Sequence, residues 1–152
     1  MSDIETEFVF EMKIDVNTIM DVGATPVGHR RIAVLAGGSF EGPKIKGKVL
    51  PSGGDWIVNR SDGVTQLDVR AHLETDDGAI IYMTYRGHRH GPKEVMDRLN
   101  SGQQVDPAEY YFRTSPFFET ASETYAWMNK MCFVATGRRD PEGPVYRVYQ
   151  VL

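Results

Sequence analysis

The sequence predicts an all-β protein of about nine short strands, arranged as a sandwich or as a closed barrel. Three observations support this fold class: apolar and polar residues alternate along most of the chain, glycine-rich turn signals separate the alternating segments, and one segment alone has helical spacing. The length of 152 residues fits a single domain, residues 1–152, that can bury a core. Periodicity does not choose between a sandwich and a barrel.

The alternation is clearest in residues 8–16, "FVFEMKIDV", where the apolar side chains share one face and the charged ones share the other. The other strand candidates are residues 30–36, 44–50, 55–60, 64–75, 79–87, 109–114, 125–137 and 145–152. Turn pairs such as Asp62-Gly63 and Asp77-Gly78 separate them. The exception is residues 91–102, "GPKEVMDRLNSG", where apolar residues three and four apart between Pro92 and Gly102 predict one short helix.

Composition excludes several classes of protein. The net charge of −4 argues against a nucleic-acid partner, because proteins that bind nucleic acids are usually basic. The chain lacks a signal-peptide pattern and a run of about 18 apolar residues, so we expect no membrane partner. The single Cys132 cannot form an internal disulfide, which favours a cytoplasmic location.

Neither a cofactor nor a metal ion is expected. The glycine-rich segments at 37–47 and 51–56 lack the Lys-Ser/Thr ending of a phosphate-binding loop, so we interpret them as hairpin turns. His88 and His90 would share a strand face, but two imidazoles fall short of a ligand set, and Arg86 and Arg89 would repel a cation. A solvated loop at 86–93 is the better interpretation.

Two charged residues alternate with apolar ones in residues 67–75, "LDVRAHLET". Asp68 and Arg70 share one face of this strand candidate, and Leu67 and Val69 share the other. The ordinary expectation is that the charged face contacts water, because burying each charge costs several kcal/mol that pairing only partly recovers. If the charged face instead pointed into a closed sheet, the carboxylate beside the guanidinium would form a site.

Aromatic residues are concentrated between 110 and 127, interleaved with polar groups. If residues 125–137 form one long strand, Trp127 and Asn129 share a face, and an amide on an apolar face needs a partner such as a ligand. Asp55 directly precedes Trp56 at the start of another strand candidate. Aromatic residues also dominate ordinary cores, so this pattern alone does not establish a site.

Eight motifs in order resemble a known bacterial family, the domain of unknown function 3237, also called uncharacterised protein family 0311. The motifs are "GATPVGHRR" (23–31), "GGSFEGP" (37–43), "GKVLPSGGDW" (47–56), "LDVR" (67–70), "TDDGA" (75–79), "EYYFRTSPFFET" (109–120), "YAWMN" (125–129) and "RVYQV" (147–151). They cover nearly the whole chain. One departure is Ser52, where the family pattern implies glycine, and it falls in a turn.

The resemblance implies a fold more than an activity: a single antiparallel, calycin-like β-barrel of about eight to ten strands, with a lumen that can hold a small molecule. It favours an inward-facing Asp68–Arg70 pair. It also makes lumen candidates of seven further residues: Asp55, Trp56, Tyr111, Arg113, Glu119, Trp127 and Asn129.

These residues support two hypotheses for function and leave a third open. The first is a cofactor-independent isomerase, lyase, hydratase or cyclase acting on an aromatic or carbonyl/carboxylate compound. In it Asp68 transfers the proton, Arg70 holds a developing anion, Tyr111 supplies a second proton, and the remaining candidates bind the ligand. The alternative is a non-catalytic carrier or sensor of a small aromatic or acidic ligand. The third is a structural subunit without a pocket. A homodimer is the default assembly.

Overall fold

In the computed structural model, which describes residues 2–152, the chain forms nine antiparallel strands and one α-helix. The strands are β1 (Thr6–Thr25), β2 (Gly28–Glu41), β3 (Lys46–Val49), β4 (Gly54–Asn59), β5 (Thr65–Thr75), β6 (Ile80–His90), β7 (Tyr111–Thr120), β8 (Phe133–Asp140) and β9 (Gly143–Val151). Helix α1 (Lys93–Asn100) lies between β6 and β7. Short 3-10 helices span Pro107–Glu109 and Ala126–Lys130.

The strands close into a barrel. The sheet runs in the order β1-β9-β8-β7-β6-β5-β3-β2-β4, and further pairings join β1 to β2 and β4 to β5. Strand β1 therefore has β9 on one side along Thr6–Lys13 and β2 on the other. Closure removes the exposed edges that a sandwich would keep in this region. The predicted all-β fold is confirmed, and the barrel is the arrangement adopted.

The barrel interior is filled by the apolar face of each strand. In β5 burial alternates strictly, and Leu67, Val69, Ala71 and Leu73 are all buried. Toward one end, aromatic rings from four strands pack edge to face or tilted, with Phe10 against Phe40 at 5.3 Å and Phe118 against Phe133 at 4.8 Å between centroids. This half of the barrel is a packed core.

Helix α1 follows the prediction for residues 91–102. Pro92 precedes the first turn, and Val95, Met96 and Leu99 are buried and belong to the same hydrophobic core as the strands. Arg98, in the last turn of α1, contacts Glu109 at 2.9 Å between Nη2 and Oε1. None of the helices among residues 2–152 has the length and apolar character needed to cross a membrane.

Candidate active site

A cavity of about 280 Å³ opens at the end of the barrel that contains the β8–β9 turn. Its polar lining includes two carboxyls, three guanidiniums, a hydroxyl and a phenol: Asp55, Glu142, Arg31, Arg89, Arg139, Thr65 and Tyr146. Ala33, Ile57 and Leu67 supply apolar wall, and Val16 and Ile19 of β1 lie at the mouth. An apolar enclosure with a few convergent polar groups is the usual form of a small-molecule site.

Strand register places these side chains together. Asp55 pairs with Ala33 on β2 and with Val69 on β5, and Arg89 pairs with Thr65 on β5 and with Phe112 on β7. Inward-pointing side chains of neighbouring strands stack in layers inside a barrel. The acidic and the basic group therefore enter the same end of the lumen.

A glycine on β8 allows the basic side of the cavity to form. A Cβ at Gly137 would lie 2.7 Å from the ring of Phe112, so no larger residue fits without moving that ring. The Phe112 ring is fully buried, and the guanidinium carbon of Arg89 lies 5.4 Å from its centroid. This contact holds one side of the guanidinium against an aromatic face.

Asp55 is a buried acid with a strongly perturbed pKa. The residue is 8% exposed, and burial raises its pKa from 3.8 to about 6. The backbone N–H of Asp68 opposes the rise by donating a hydrogen bond of 3.1 Å to Oδ1, and the charge of Arg89 also opposes it. A carboxyl with this pKa can accept and return a proton near neutral pH.

Arg89 is a buried guanidinium that forms no ion pair with a carboxylate among residues 2–152. The residue is 5% exposed, and burial, followed by the charge of Arg139, lowers its pKa to about 10, so it stays charged at neutral pH. Within residues 2–152 its Nε has no hydrogen-bond partner, and no carboxylate lies within 4 Å of the guanidinium. Arginine is rarely buried without a partner, so this group has unused binding capacity.

Two tyrosines complete the acid–base group. Burial, followed by the charge of Asp55, raises the pKa of the Tyr146 phenol, although a hydrogen bond with the Tyr85 hydroxyl opposes the rise. The two rings lie 5.1 Å apart between centroids. Because Tyr146 lines the cavity and keeps its proton at neutral pH, it can donate a hydrogen bond to a ligand oxygen.

A hydrogen-bonded chain fixes the side of the cavity formed by β2, β4 and β5. Arg31 Nη2 donates to Asn59 Oδ1 at 3.1 Å, and Asn59 Nδ2 donates to Thr65 Oγ1 at 2.9 Å. Side chains held in this way lose little freedom when a ligand binds. Among residues 2–152, no three His, Cys, Asp or Glu side chains are grouped as metal ligands would be.

The prediction that Asp68 and Arg70 face the lumen is wrong. Both lie on the outer face of β5, where Arg70 is exposed and Asp68 is half-buried, while Leu67 and Val69 take the inner face. The physical reason is that placing the apolar face inward avoids the cost of desolvating two charges, as the ordinary expectation of a solvent-facing charged strand assumed. Asp68 contributes to the cavity only through its backbone N–H, which binds Asp55.

Of the other predicted site residues, Asp55 alone lies in the cavity. Its neighbour Trp56 points outward and is 38% exposed. Tyr111 and Arg113 line an open groove of about 800 Å³ on the outside of the barrel, where the Tyr111 ring stacks on His90 at 4.9 Å between centroids. These three residues are therefore not lumen residues, because strand alternation directs them to solvent.

The remaining candidates lie near the opposite end of the barrel. Glu119 is exposed on β7, and Trp127 and Asn129 belong to the 3-10 helix Ala126–Lys130. The prediction of a single strand over 125–137 is wrong, because β8 begins only at Phe133. The Asn129 amide satisfies both its groups on the backbone of Thr120, at 2.8 and 2.9 Å, and so needs no ligand.

Arg89 and Tyr146 line the cavity but were not among the predicted site residues. Residues 86–93 were expected to form a loop, but β6 continues to His90, so the inward positions Ile81, Met83 and Tyr85 continue to Arg89. Because side chains alternate along a strand, every second residue after Tyr85 points inward, which identifies Arg89 as inward-facing. Tyr146 shares the inner face of β9 with Val148, and its role depends on Asp55, which lies far away in the sequence.

Comparison with known proteins agrees with this fold. Residues 4–151 match the family model described as a protein of unknown function, DUF3237. The chain belongs to this family. A UPF0311 protein from Rhodopseudomonas palustris strain TIE-1 is 38% identical over 149 residues, which are 98% of this chain and 97% of the relative. The resemblance inferred from the eight motifs is confirmed.

Solved structures share the DUF3237 barrel. A beta-barrel like protein from Acinetobacter baumannii AYE is 37% identical, with a TM-score of 0.87 and coverage of 99% of this chain and 98% of that one. An enzyme from Penicillium herquei is 20% identical, with a TM-score of 0.76 and coverage of 99% and 96%. At that identity the second comparison establishes only a shared fold.

Proposed function

We propose that this DUF3237 barrel is a cofactor-independent acid–base enzyme that transfers a proton on a small carbonyl compound held in the cavity. The observation that carries the proposal is the buried Asp55, whose pKa is raised to about 6. It shares the cavity with the protonated Tyr146 and with Arg89, whose Nε has no hydrogen-bond partner among residues 2–152. Groups with pKa values near the working pH are typical of acid–base catalysts. The Penicillium herquei protein with this fold is itself an enzyme, which is consistent with catalysis in such a barrel.

The chemistry begins with Asp55 as the base. Its ionised carboxylate removes a proton from the carbon next to the carbonyl, and the C–H electron pair forms a C=C bond while charge develops on the carbonyl oxygen. Tyr146 and Arg89 line the same cavity and stabilise that oxygen by hydrogen bonding and by charge. Return of the proton to another atom gives an isomer, and loss of a group from the next carbon gives elimination.

Solvent hydrogen exchange tests this proposal without knowledge of the natural substrate. In D₂O, wild-type protein is expected to accelerate deuterium incorporation at C3 of phenylpyruvate or 2-oxobutanoate, measured by proton NMR against protein-free samples. The rate should rise between pH 5 and pH 7, as Asp55 ionises. Asp55→Asn should lower it about 100-fold or more, because general bases typically contribute that much.

The matched control is Asp62→Asn, which removes an exposed carboxylate in the β4–β5 turn and should leave the rate unchanged. Exchange at the protein-free rate with both probes, or equal rates for wild type and Asp55→Asn, would overturn the proposal. Binding of the probes without any exchange would identify the protein as a carrier instead.

A further inference from the structure

The cavity carries more positive than negative charge. Three guanidiniums, those of Arg31, Arg89 and Arg139, line it together with the carboxyl groups of Asp55 and Glu142. Glu142 is exposed on the β8–β9 turn, where water screens its charge, so Asp55 is the buried acid that offsets these guanidiniums. A cavity with this balance favours an anionic ligand.

Arg89 is a buried guanidinium in this cavity with unused binding capacity. Its Nε is buried and has no partner within residues 2–152, whereas Arg31 already donates to Asn59. Phe112 covers one side of the guanidinium, and the residue lines the cavity. Two neighbouring N–H groups of a guanidinium match the two oxygens of a carboxylate in one plane.

We propose that Arg89 binds a carboxylate of the substrate, so that the substrate of this barrel is a small monocarboxylic acid. This inference rests on the proposed function, since it concerns the same cavity, and it adds the chemical class of the substrate. Arg89 is the buried guanidinium among the three, and one guanidinium binds one carboxylate as a planar pair. A cavity of about 280 Å³ suits a compact acid better than a nucleotide or a sugar phosphate.

Binding of phenylacetate tests the inference separately from catalysis, because phenylacetate has no ketone to enolise. By isothermal titration calorimetry, wild-type protein is expected to bind phenylacetate at least 30-fold more tightly than the neutral isostere phenylacetamide. Arg89→Met should lose this preference, and Arg89→Lys, which keeps the charge without the planar pair of N–H groups, should retain part of it. Asp55→Asn should bind phenylacetate more tightly, because a neighbouring negative charge is removed.

Arg113→Met is the matched control, because Arg113 lies in the outer groove, and its affinity for phenylacetate should equal that of wild type. Circular dichroism and the melting temperature establish that each variant is folded. Equal affinities for the acid and the amide, unchanged affinity in folded Arg89→Lys and Arg89→Met, or tighter binding of inorganic phosphate would each overturn the inference.

The two proposals fail in different ways. Phenylacetate binding through Arg89 without deuterium exchange on phenylpyruvate would overturn the enzyme proposal and leave the carboxylate site standing. Deuterium exchange on the neutral ketone phenylacetone, together with no preference for phenylacetate over phenylacetamide, would overturn the carboxylate site and leave the enzyme standing.

Discussion

Two aspartates of this chain show how position changes the chemistry of one functional group. Asp62 is exposed in the β4–β5 turn, where the hydrogen bond from Arg60 holds the pKa of its carboxyl below the usual value. Asp55 is buried in the barrel, and desolvation moves its pKa in the opposite direction. Of these two carboxyls, only that of Asp55 exchanges a proton near neutral pH, which is why Asp55 is the proposed base.

The outer face of β5 provides a prediction about single residues. Asp68→Asn and Arg70→Met should each change the free energy of unfolding by less than about 0.5 kcal/mol, because both side chains contact solvent. The double variant should be additive within the same margin. Urea denaturation of the four proteins measures this. Single changes of about 2 kcal/mol with strong coupling would contradict the placement of this pair on the outer face.

At the scale of single residues, sequence analysis could predict the strand but not which of its faces points inward. The alternation of Asp68 and Arg70 with Leu67 and Val69 was visible, and burial energetics favoured the apolar face for the interior. The family resemblance implied a lumen site and led to the opposite assignment. The structure places Asp55 in the cavity. Placing Arg89 there required the exact end of β6, and strand ends are poorly determined by local pattern.

The connection between β7 and β8 replaces sheet pairing with a side-chain clamp. These strands share only the pairs Arg113 with Thr136 and Thr114 with Ala135. Beyond them, the 3-10 helix Ala126–Lys130 lies against β7, and Asn129 hydrogen-bonds both backbone groups of Thr120. An amide side chain can copy the donor and acceptor of a backbone unit in this way.

This clamp leads to a prediction about the element. Asn129→Ala should lower the free energy of unfolding by about 1–2 kcal/mol, because two hydrogen bonds are lost. Lys130→Ala, an exposed change in the same 3-10 helix, should cost less than about 0.5 kcal/mol. Phenylacetate affinity should be unchanged in both, since the clamp lies far from the cavity. Equal stability of the two variants would show that the clamp contributes nothing.

At the scale of elements, most of the fold was predictable because its signals are local. Turn pairs and alternation indicated the strands, and helical spacing between Pro92 and Gly102 indicated α1. The segment at 125–137 was misassigned because its aromatic residues also alternate by twos, although the contact of Asn129 with Thr120 makes a short helix the better solution. That contact joins separate elements, so local pattern could not reveal it.

For the whole molecule, the barrel holds a buried acid that weakens it. The Asp55 carboxyl is packed at the cavity end of the same barrel whose other half is a close-packed aromatic core. Its raised pKa means that the folded state prefers the neutral acid, so ionisation at neutral pH opposes folding. Sites that favour function over stability in this way are common in enzymes.

This arrangement predicts how the stability of the whole barrel depends on pH. The pKa of Asp55 is about 6 in the folded protein and 3.8 without the fold, so the folded state binds more protons between these values. The free energy of unfolding should therefore fall as pH rises from about 4 to 6, by about 3 kcal/mol from this group. Asp55→Asn should remove that fall and be more stable than wild type by about 2 kcal/mol at pH 7.5.

The control variant Asp62→Asn should differ from wild type in the opposite direction. It should be less stable than wild type above the ordinary aspartate pKa, because the fold favours the ionised state of the Asp62 carboxyl. Urea denaturation from pH 4 to pH 8 measures all three proteins, and parallel profiles for wild type and Asp55→Asn would contradict a buried, desolvated carboxyl in the lumen.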